Sequence, residues 1–274
     1  MYEYFSDKTL KINKLNSFKN VSLLVTHYNR TKSLEHLLNS LKLQEFEFED
    51  IVISDDGSKP EHIERLKALQ EIYSFKLVTT SQNRGLGNNI NKGQREITSP
   101  YTLYLQEDFV PKALFADKLS NAIDFMEERA ELDMVRFYGY FKYPYLKEYK
   151  NGFSEMVFTA LPWYGKYRKF YFYSDHPHLR RSNFLEKFGI YNEGTSGDVT
   201  EYQMMMSVIQ KDGKGLFYDD FQGLFDQQNS SEEPSTMTRT SLRESKNPVI
   251  TAVRHLYRHI KFNFDYHFSK HTNN

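Results

Sequence analysis

The sequence predicts an α/β protein with a mostly parallel central sheet flanked by helices, followed by a C-terminal helical tail. Three observations predict it. Short apolar runs recur at 21–25, 51–53, 75–78 and 101–105, amphipathic stretches lie between them, and the connections are short. Strands that alternate with helices over short links pair in parallel, because each crossover helix packs back onto the sheet.

The elements follow in order. Residues 21–25 (VSLLV) suit a strand buried on both faces. Leu34, Leu37, Leu38 and Leu41 then fall at helical spacing, with Thr31 placed to cap that helix. Ile51-Val52-Ile53 ends in Ser54-Asp55-Asp56-Gly57-Ser58, and Pro60 suits the first turn of a helix whose apolar stripe is Ile63, Leu66 and Leu69. Residues 75–78 and 101–105 read as the third and fourth strands, with a helix over 86–96. A long helix over 113–131 presents Leu119, Ile123 and Met126, and a strand follows at 134–138. From 138 to 173 the rhythm fails among Tyr, Phe, Gly and Lys. Helices are expected at 182–189 and 199–211, a polar loop at 229–246, and a helix from Pro248. Residues 1–235 form one domain, with a ligand-binding half at about 20–111 and a second half at 112–235. Residues 236–274 form a polar linker and a basic, aromatic helical segment.

Composition narrows the function. The 274 residues contain no cysteine, which excludes a disulfide framework, a thiolate zinc site and a cysteine nucleophile. Lys and Arg number 36 against 36 Asp and Glu, a balance that argues against a nucleic-acid partner. The polar start MYEYFSDKTLKINKLN is no secretory signal, and no stretch approaches the roughly 20 apolar residues of a membrane span. The expectation is a soluble cytoplasmic protein. Aromatic residues reach 16%, and the block after residue 137 suggests a surface for a flat, hydroxylated ligand.

In a parallel sheet, ligands bind outside the carboxyl ends of the strands. Polar clusters stand at all four predicted ends. Thr26-His27-Tyr28-Asn29-Arg30 offers an aromatic ring that could stack on a base, or a packed helix entrance. Asp55-Asp56-Gly57-Ser58 offers carboxylates for an imide N–H or ribose hydroxyls, though an Asp-Gly turn needs no ligand. Asn83-Arg84-Gly85-Leu86-Gly87-Asn88-Asn89-Ile90-Asn91-Lys92-Gly93 suggests backbone held close to a ligand, with Arg84 facing phosphates, or a turn before a helix. Gln106-Glu107-Asp108 suits a hard divalent cation bridging diphosphate oxygens, or a solvated acidic turn. Further on, Asp175, His176 and His178 suggest a ligand-contacting or structural loop. Glu193, Asp198 and Glu201 cluster ahead of a Met-rich helical stretch.

These four clusters, in this order, resemble the nucleotide-sugar half of glycosyltransferase family 2, with the GT-A fold. The likeness runs along 21–111. The family's T-x-Y-N segment is Thr26–Asn29, its D-D-G-S is Asp55–Ser58, and its N-x-G-x-x-x-A-x-N-x-G signature spans Asn83 to Gly93 with Asn89 in the Ala position. The resemblance implies an inverting hexosyl- or N-acetylhexosaminyltransferase that uses a nucleoside-diphosphate sugar, UDP type favoured, and acts on a glycan or lipid-linked acceptor in cell-surface polysaccharide synthesis. Donor contacts would come from Thr26, Tyr28 on the base, Asn29, Arg30, Asp55 on its imide edge, Asp56, Asn83, Arg84, Gly85, Gln106 and Glu107. Asp108 would ligate Mn²⁺ or Mg²⁺, Glu201 would be the catalytic base with Asp198 as competitor, and Asp175, His178 and Glu193 would face the acceptor. Gln106 departs from the family's Asp and makes the metal site less negative. A catalytically silent nucleotide-sugar or glycan-binding module and a sugar nucleotidyltransferase are the alternatives. Residues 248–274, basic and aromatic, suit either peripheral contact with an anionic membrane, such as the inner face of the cytoplasmic membrane, or packing on the domain.

Overall fold

The computed structural model describes residues 15–161, 167–228, 233 and 247–269. Thirteen strands are β1 Asn16–Phe18, β2 Val21–His27, β3 Phe46–Phe48, β4 Ile51–Asp55, β5 Lys76–Val78, β6 Tyr101–Gln106, β7 Phe109–Pro111, β8 Met134–Arg136, β9 Leu146–Glu148, β10 Phe153–Met156, β11 His178–Arg181, β12 Gly215–Tyr218 and β13 Phe225–Gln227. The α-helices are α1 Thr31–Leu43, α2 Pro60–Tyr73, α3 Gly85–Gln94, α4 Phe115–Glu128, α5 Phe184–Phe188, α6 Gly197–Gln210 and α7 Pro248–Phe268, with a 3₁₀ turn at Tyr167–Phe170.

Nine strands form one sheet in the order β5-β4-β2-β6-β11-β8-β12-β10-β9. From β5 to β6 all pairings are parallel, as the alternating pattern predicts. Beyond β6 the sheet is mixed, since β11 runs antiparallel to both β6 and β8. Side chains alternate across the sheet, so β2 sends Leu23 and Val25 to one core and Leu24 to the other. On the first face lie Leu34, Leu37, Leu38 and Leu41 of α1 with Leu119 and Met126 of α4; on the second lie Ile90 of α3 and Met204, Met205 and Met206 of α6. The Met run is core.

Three expectations change. His178 lies in β11, at the centre of the sheet, and is fully buried. A strand reading HLRR escapes a hydropathy scan because its buried cation finds partners only in distant segments. Arg180 donates to Tyr191 Oη (2.6 Å) and Gln94 Oε1 (2.8 Å) and lies over the Tyr104, Phe184 and Tyr191 rings. Thr31 is the first residue of α1 rather than its cap, and its hydroxyl meets His62. The cap comes from far downstream: the Glu233 carboxylate accepts from the Lys32 and Ser33 backbone N–H groups, each at 2.9 Å. The aromatic block after residue 137 is in large part core, since Tyr143, Phe153, Tyr167, Phe170, Phe172 and Tyr173 are buried. Its irregular rhythm reflects the short β9 and β10 hairpin and the 3₁₀ turn. The expected loop at 229–246 lies outside the described residues except for Glu233.

Helix α3 fixes the distance between the two halves. At Gly87 a Cβ would stand 2.1 Å from the Asn192 carbonyl oxygen, a backbone atom that cannot move aside. Gly87→Ala is therefore expected to destabilise the protein by about 1–3 kcal/mol, read as a lowered thermal midpoint. Gly197→Ala, whose Cβ would meet only Leu86 Cδ2 at 3.7 Å, should leave the midpoint close to wild type.

Candidate active site

The carboxyl edge of the parallel half is tied together by one buried carboxylate. Asp55 accepts from His27 Nδ1 (2.8 Å), from the Ser58 hydroxyl, from the Ser58 backbone N–H (3.0 Å) and from Thr79 Oγ1 (2.9 Å). The Arg30 backbone N–H donates to His27 Nε2 at 3.2 Å, which fixes the tautomer with its proton on Nδ1. Burial lowers the His27 pKa, so the ring is neutral. Burial acts to raise Asp55, but the donors from His27 and Ser58 prevail and hold it down to about 2. Asp55 has no exposed surface, so its expected contact with a base is not available; it is an internal pin.

Around that pin the loops are set. Asn29, left-handed at φ 53°, accepts from the Lys59 N–H, and its own N–H donates to the Ser58 hydroxyl. Tyr28 stands half-buried between them. Thr26 pairs its hydroxyl with Tyr104 Oη at 3.0 Å beneath the floor. Asp56 accepts the Arg84 and Gly85 backbone N–H groups, each at 2.9 Å, and Asn83 Oδ1 also accepts from Gly85.

The asparagines of α3 turn inward instead of lining a ligand. Asn89 donates to the His27 carbonyl oxygen and accepts from the Ser54 hydroxyl, which explains how Asn fills the Ala position. Asn91 and the Tyr191 main chain bond reciprocally. Asn88 and Asn91 donate to Glu193 at 2.7 and 3.1 Å, and Arg84 and Arg95 add charge at 3.6 and 4.0 Å. Although burial opposes it, these amides and guanidinium groups lower the Glu193 pKa. Glu193 is thus a clamp on α3, and its expected place at the acceptor is not supported.

The acidic pair after β6 carries an internal counter-ion. Arg30 Nη1 lies 3.2 Å from Glu107 Oε1 and 3.3 Å from Asp108 Oδ2, while Nη2 donates to the Gln228 and Glu233 carbonyl oxygens. Burial and the adjacent Asp108 push Glu107 up to about 8. Gln227 Nε2 donates to Asp108 Oδ2 at 3.2 Å, whereas the buried Asp108 Oδ1 receives no hydrogen bond. Gln106 is half-buried at the strand end. Among the described residues no cluster of three or more His, Cys, Asp or Glu could hold a metal alone. The donor set does fit a divalent cation that takes one or two carboxylates and completes its shell from substrate phosphates.

A second acidic pair stands where the loop before β11 meets the first turn of α6. Since His178 pairs antiparallel with Tyr104, the loop at 174–177 lies at the carboxyl end of β6, and the His176 ring packs edge-on against Phe109 at 6.0 Å. Glu201 accepts the Asp175 backbone N–H at 3.3 Å. Asp175 Oδ1 accepts from Tyr173 Oη at 2.7 Å, Tyr173 meets Tyr191, and Arg180 completes the chain; Asp175 Oδ2 is buried without a hydrogen bond. Burial and the neighbouring Asp175 raise Glu201 to about 8, and burial raises Asp175 to about 6. Asp198 lies one turn before Glu201 and adds to that repulsion. Arg136 is the nearest buried cation, bonded to Ser174 Oγ and the Tyr171 carbonyl oxygen.

Sequence reasoning missed His27, Asn89, Arg136, Arg180, Gln227 and Glu233. Only His27 and Asn89 lay inside a recognised motif; the others become visible when distant segments meet.

The sequence profile described as glycosyl transferase family 2 matches residues 22–191. The poly-beta-1,6-N-acetyl-D-glucosamine synthase of Staphylococcus aureus strain COL is 26% identical over 107 residues, covering 39% of this chain and 26% of that protein. The synthase of the same name from Staphylococcus epidermidis is 29% identical over 90 residues, covering 33% and 22%. The chain thus spans about a quarter of the length of these relatives. Among solved structures, residues 1–349 of S. aureus TarS in complex with UDP-GlcNAc superpose with a TM-score of 0.58 at 16% identity, covering 90% of this chain and 73% of that one. The mannosyltransferase PcManGT of Pyrobaculum calidifontis, in complex with GDP-Man and Mn²⁺, gives 0.52 at 13% identity, covering 89% and 64%. These likenesses establish the GT-A fold.

The raised pKa of Glu201 has a consequence for stability. The folded protein holds a proton there that the unfolded chain releases above about 4.5, so stability falls as pH rises toward 8. Glu201→Gln is expected to raise the thermal midpoint at pH 8–9, by roughly 1–3 kcal/mol of stability, and to change it little below pH 5.

Proposed function

The chain belongs to glycosyl transferase family 2, and from that premise we propose that it transfers a sugar from a nucleoside-diphosphate donor to a hydroxyl of a glycan or lipid-linked acceptor. The observation that carries the reading is the arrival of the Glu107–Asp108 pair and the Glu201–Asp175 pair at one edge of the sheet. One suits the diphosphate end of a donor and the other suits an attacking hydroxyl.

In this reading Tyr28 stacks on the base, and the exposed Asn83-Arg84 turn, held from beneath by the buried Asp56, meets its edge and the ribose in place of Asp55. A UDP-N-acetylhexosamine is the favoured donor. Arg84, whose side chain is 55% exposed, supplies positive charge to the phosphates. Asp108, with Glu107 beside it, would hold Mn²⁺ or Mg²⁺. Such an ion, when bound, neutralises charge on the leaving diphosphate. Arg30 balances the same carboxylates when no donor is present.

Glu201 is the base. Its raised pKa places it near the range in which a carboxylate accepts a proton efficiently, and the Asp175 N–H orients it. The acceptor hydroxyl attacks the anomeric carbon opposite the leaving diphosphate, with inversion, as Glu201 takes its proton. Asp198, one turn earlier, is the second candidate. Asp175, bonded to Tyr173, sets the local charge. Cell-surface polysaccharide synthesis is the setting that the two relatives' names suggest.

The test incubates the protein with a panel of nucleotide sugars, Mn²⁺ and glycan acceptors and follows release of nucleoside diphosphate. Asp108→Asn should weaken Mn²⁺-dependent donor binding by about tenfold or more. Glu201→Gln should spare donor binding and lower kcat by roughly 10²–10⁴-fold. Because the base must be deprotonated, kcat/KM should rise with pH through about 8 and then level. Pyrophosphate release would indicate nucleotidyl transfer, and donor binding without turnover across the panel would indicate a binding module.

A further inference from the structure

We propose that His176 binds the transferred sugar, with its imidazole Nε2–H donating to a hydroxyl or N-acyl oxygen of the pyranose. That role rests on the transfer reading of this edge. Two connections place His176 between the acidic pairs. Its backbone follows Asp175, whose N–H donates to Glu201. Its ring stands edge-on to the Tyr140 ring at 4.5 Å. The Tyr140 hydroxyl donates to Gln227 Oε1, and Gln227 Nε2 donates to Asp108. A sugar whose diphosphate lies at Asp108, and whose anomeric carbon is attacked by a hydroxyl beside Glu201, must occupy that interval.

The proton on this ring is placed by its neighbours. Arg136, buried at the end of β8, can only donate, and its Nη2 does so to the Ser174 hydroxyl oxygen at 2.6 Å. The buried Ser174 hydroxyl lies 2.9 Å from His176 Nδ1 and has no other acceptor among the described residues, so its proton points to Nδ1. His176 is then a neutral imidazole that carries its proton on Nε2. Burial and the Arg136 charge act in the same direction and hold its pKa down at about 3. Phe109 and Tyr138 pack edge-on against the same ring at 6.0 and 5.5 Å and fix its plane. Nε2 has no partner among the described residues, and the ring is partly exposed, so the N–H is left for a ligand. A cation here would be drawn to the carboxylates of the two pairs. An uncharged donor is left for an uncharged acceptor, which a pyranose presents in its hydroxyl and N-acyl oxygens. Tyr140, 52% exposed beside it, adds an aromatic surface for the C–H face of the same sugar.

The test is isothermal titration calorimetry of the full chain with Mn²⁺ present, comparing UDP-GlcNAc, UDP-glucose and GDP-mannose each with its parent nucleotide, UDP or GDP. His176→Phe keeps the ring packing and removes the N–H. It is expected to weaken binding of the preferred nucleotide sugar by about three- to tenfold and to leave the Kd of the parent nucleotide unchanged. His176→Gln, whose amide nitrogen reaches close to the place of Nε2, should recover part of that loss. Ser174→Ala releases the tautomer and should show a smaller loss of the same kind. An unchanged circular dichroism spectrum checks that each variant is folded. Equal affinity of wild type and His176→Phe for the nucleotide sugar would overturn the assignment. Equal losses for the nucleotide sugar and its parent nucleotide would overturn it too, since they mark a structural role. A wild-type chain that binds no member of the panel would overturn the transfer reading itself, and the assignment with it.

Discussion

A neutral imidazole and a carboxylate, both without exposed surface, hold the ligand edge of this protein together. His27 ends β2, Asp55 ends β4, and Thr79 follows β5, so the Asp55 hydrogen bonds gather three strand ends at one point. A buried charge is tolerable only when nearly every lone pair is answered, and here four donors answer it. The arrangement settles what the neighbouring groups can do. With Asp55 and Asp56 both committed inside, the half-buried Tyr28 and the exposed Arg84 are left at the surface of this edge, and Arg30 starts α1 with its guanidinium over the acidic pair.

A second buried network orders the far side. Arg180, Tyr191, Tyr173 and Asp175 form a relay of hydrogen bonds that begins in the middle of the sheet and ends at the N–H group orienting Glu201. The acidic group proposed as base is therefore held by the core and not by a surface loop. Holding two carboxylates close in a desolvated corner costs stability and raises their pKa values, a trade expected where chemistry is done.

The parallel half was legible because its rules are local. Apolar runs, helical stripes and strand-end clusters each sit within a few consecutive residues, and the four family segments lie in one stretch of chain. The mixed half obeys rules that no window contains. β11 looks polar until Tyr191 and Gln94, distant in sequence, are seen to satisfy Arg180. Asp55 and Glu193 have the right residue types for ligand contact but spend their oxygens on the protein, and only the donor count shows it. The aromatic block misled for a related reason, since rings that fill a core and rings that face a sugar have the same composition. Helix α7 was visible as a basic, aromatic segment, yet which rings face outward needed the packing of Phe262 and Tyr266.

The capping of α1 by Glu233 carries a consequence for how the protein is made. A ribosome releases the chain from its N-terminus, and early segments fold while later ones are still being added. The four donors to the Asp55 carboxylate all lie between residues 27 and 79. The first turn of α1 and the guanidinium of Arg30 wait for contacts roughly two hundred residues downstream, at Gln228 and Glu233. The nascent chain thus gathers the donors of Asp55 well before Gln228 and Glu233, which close its acidic centre, have been added.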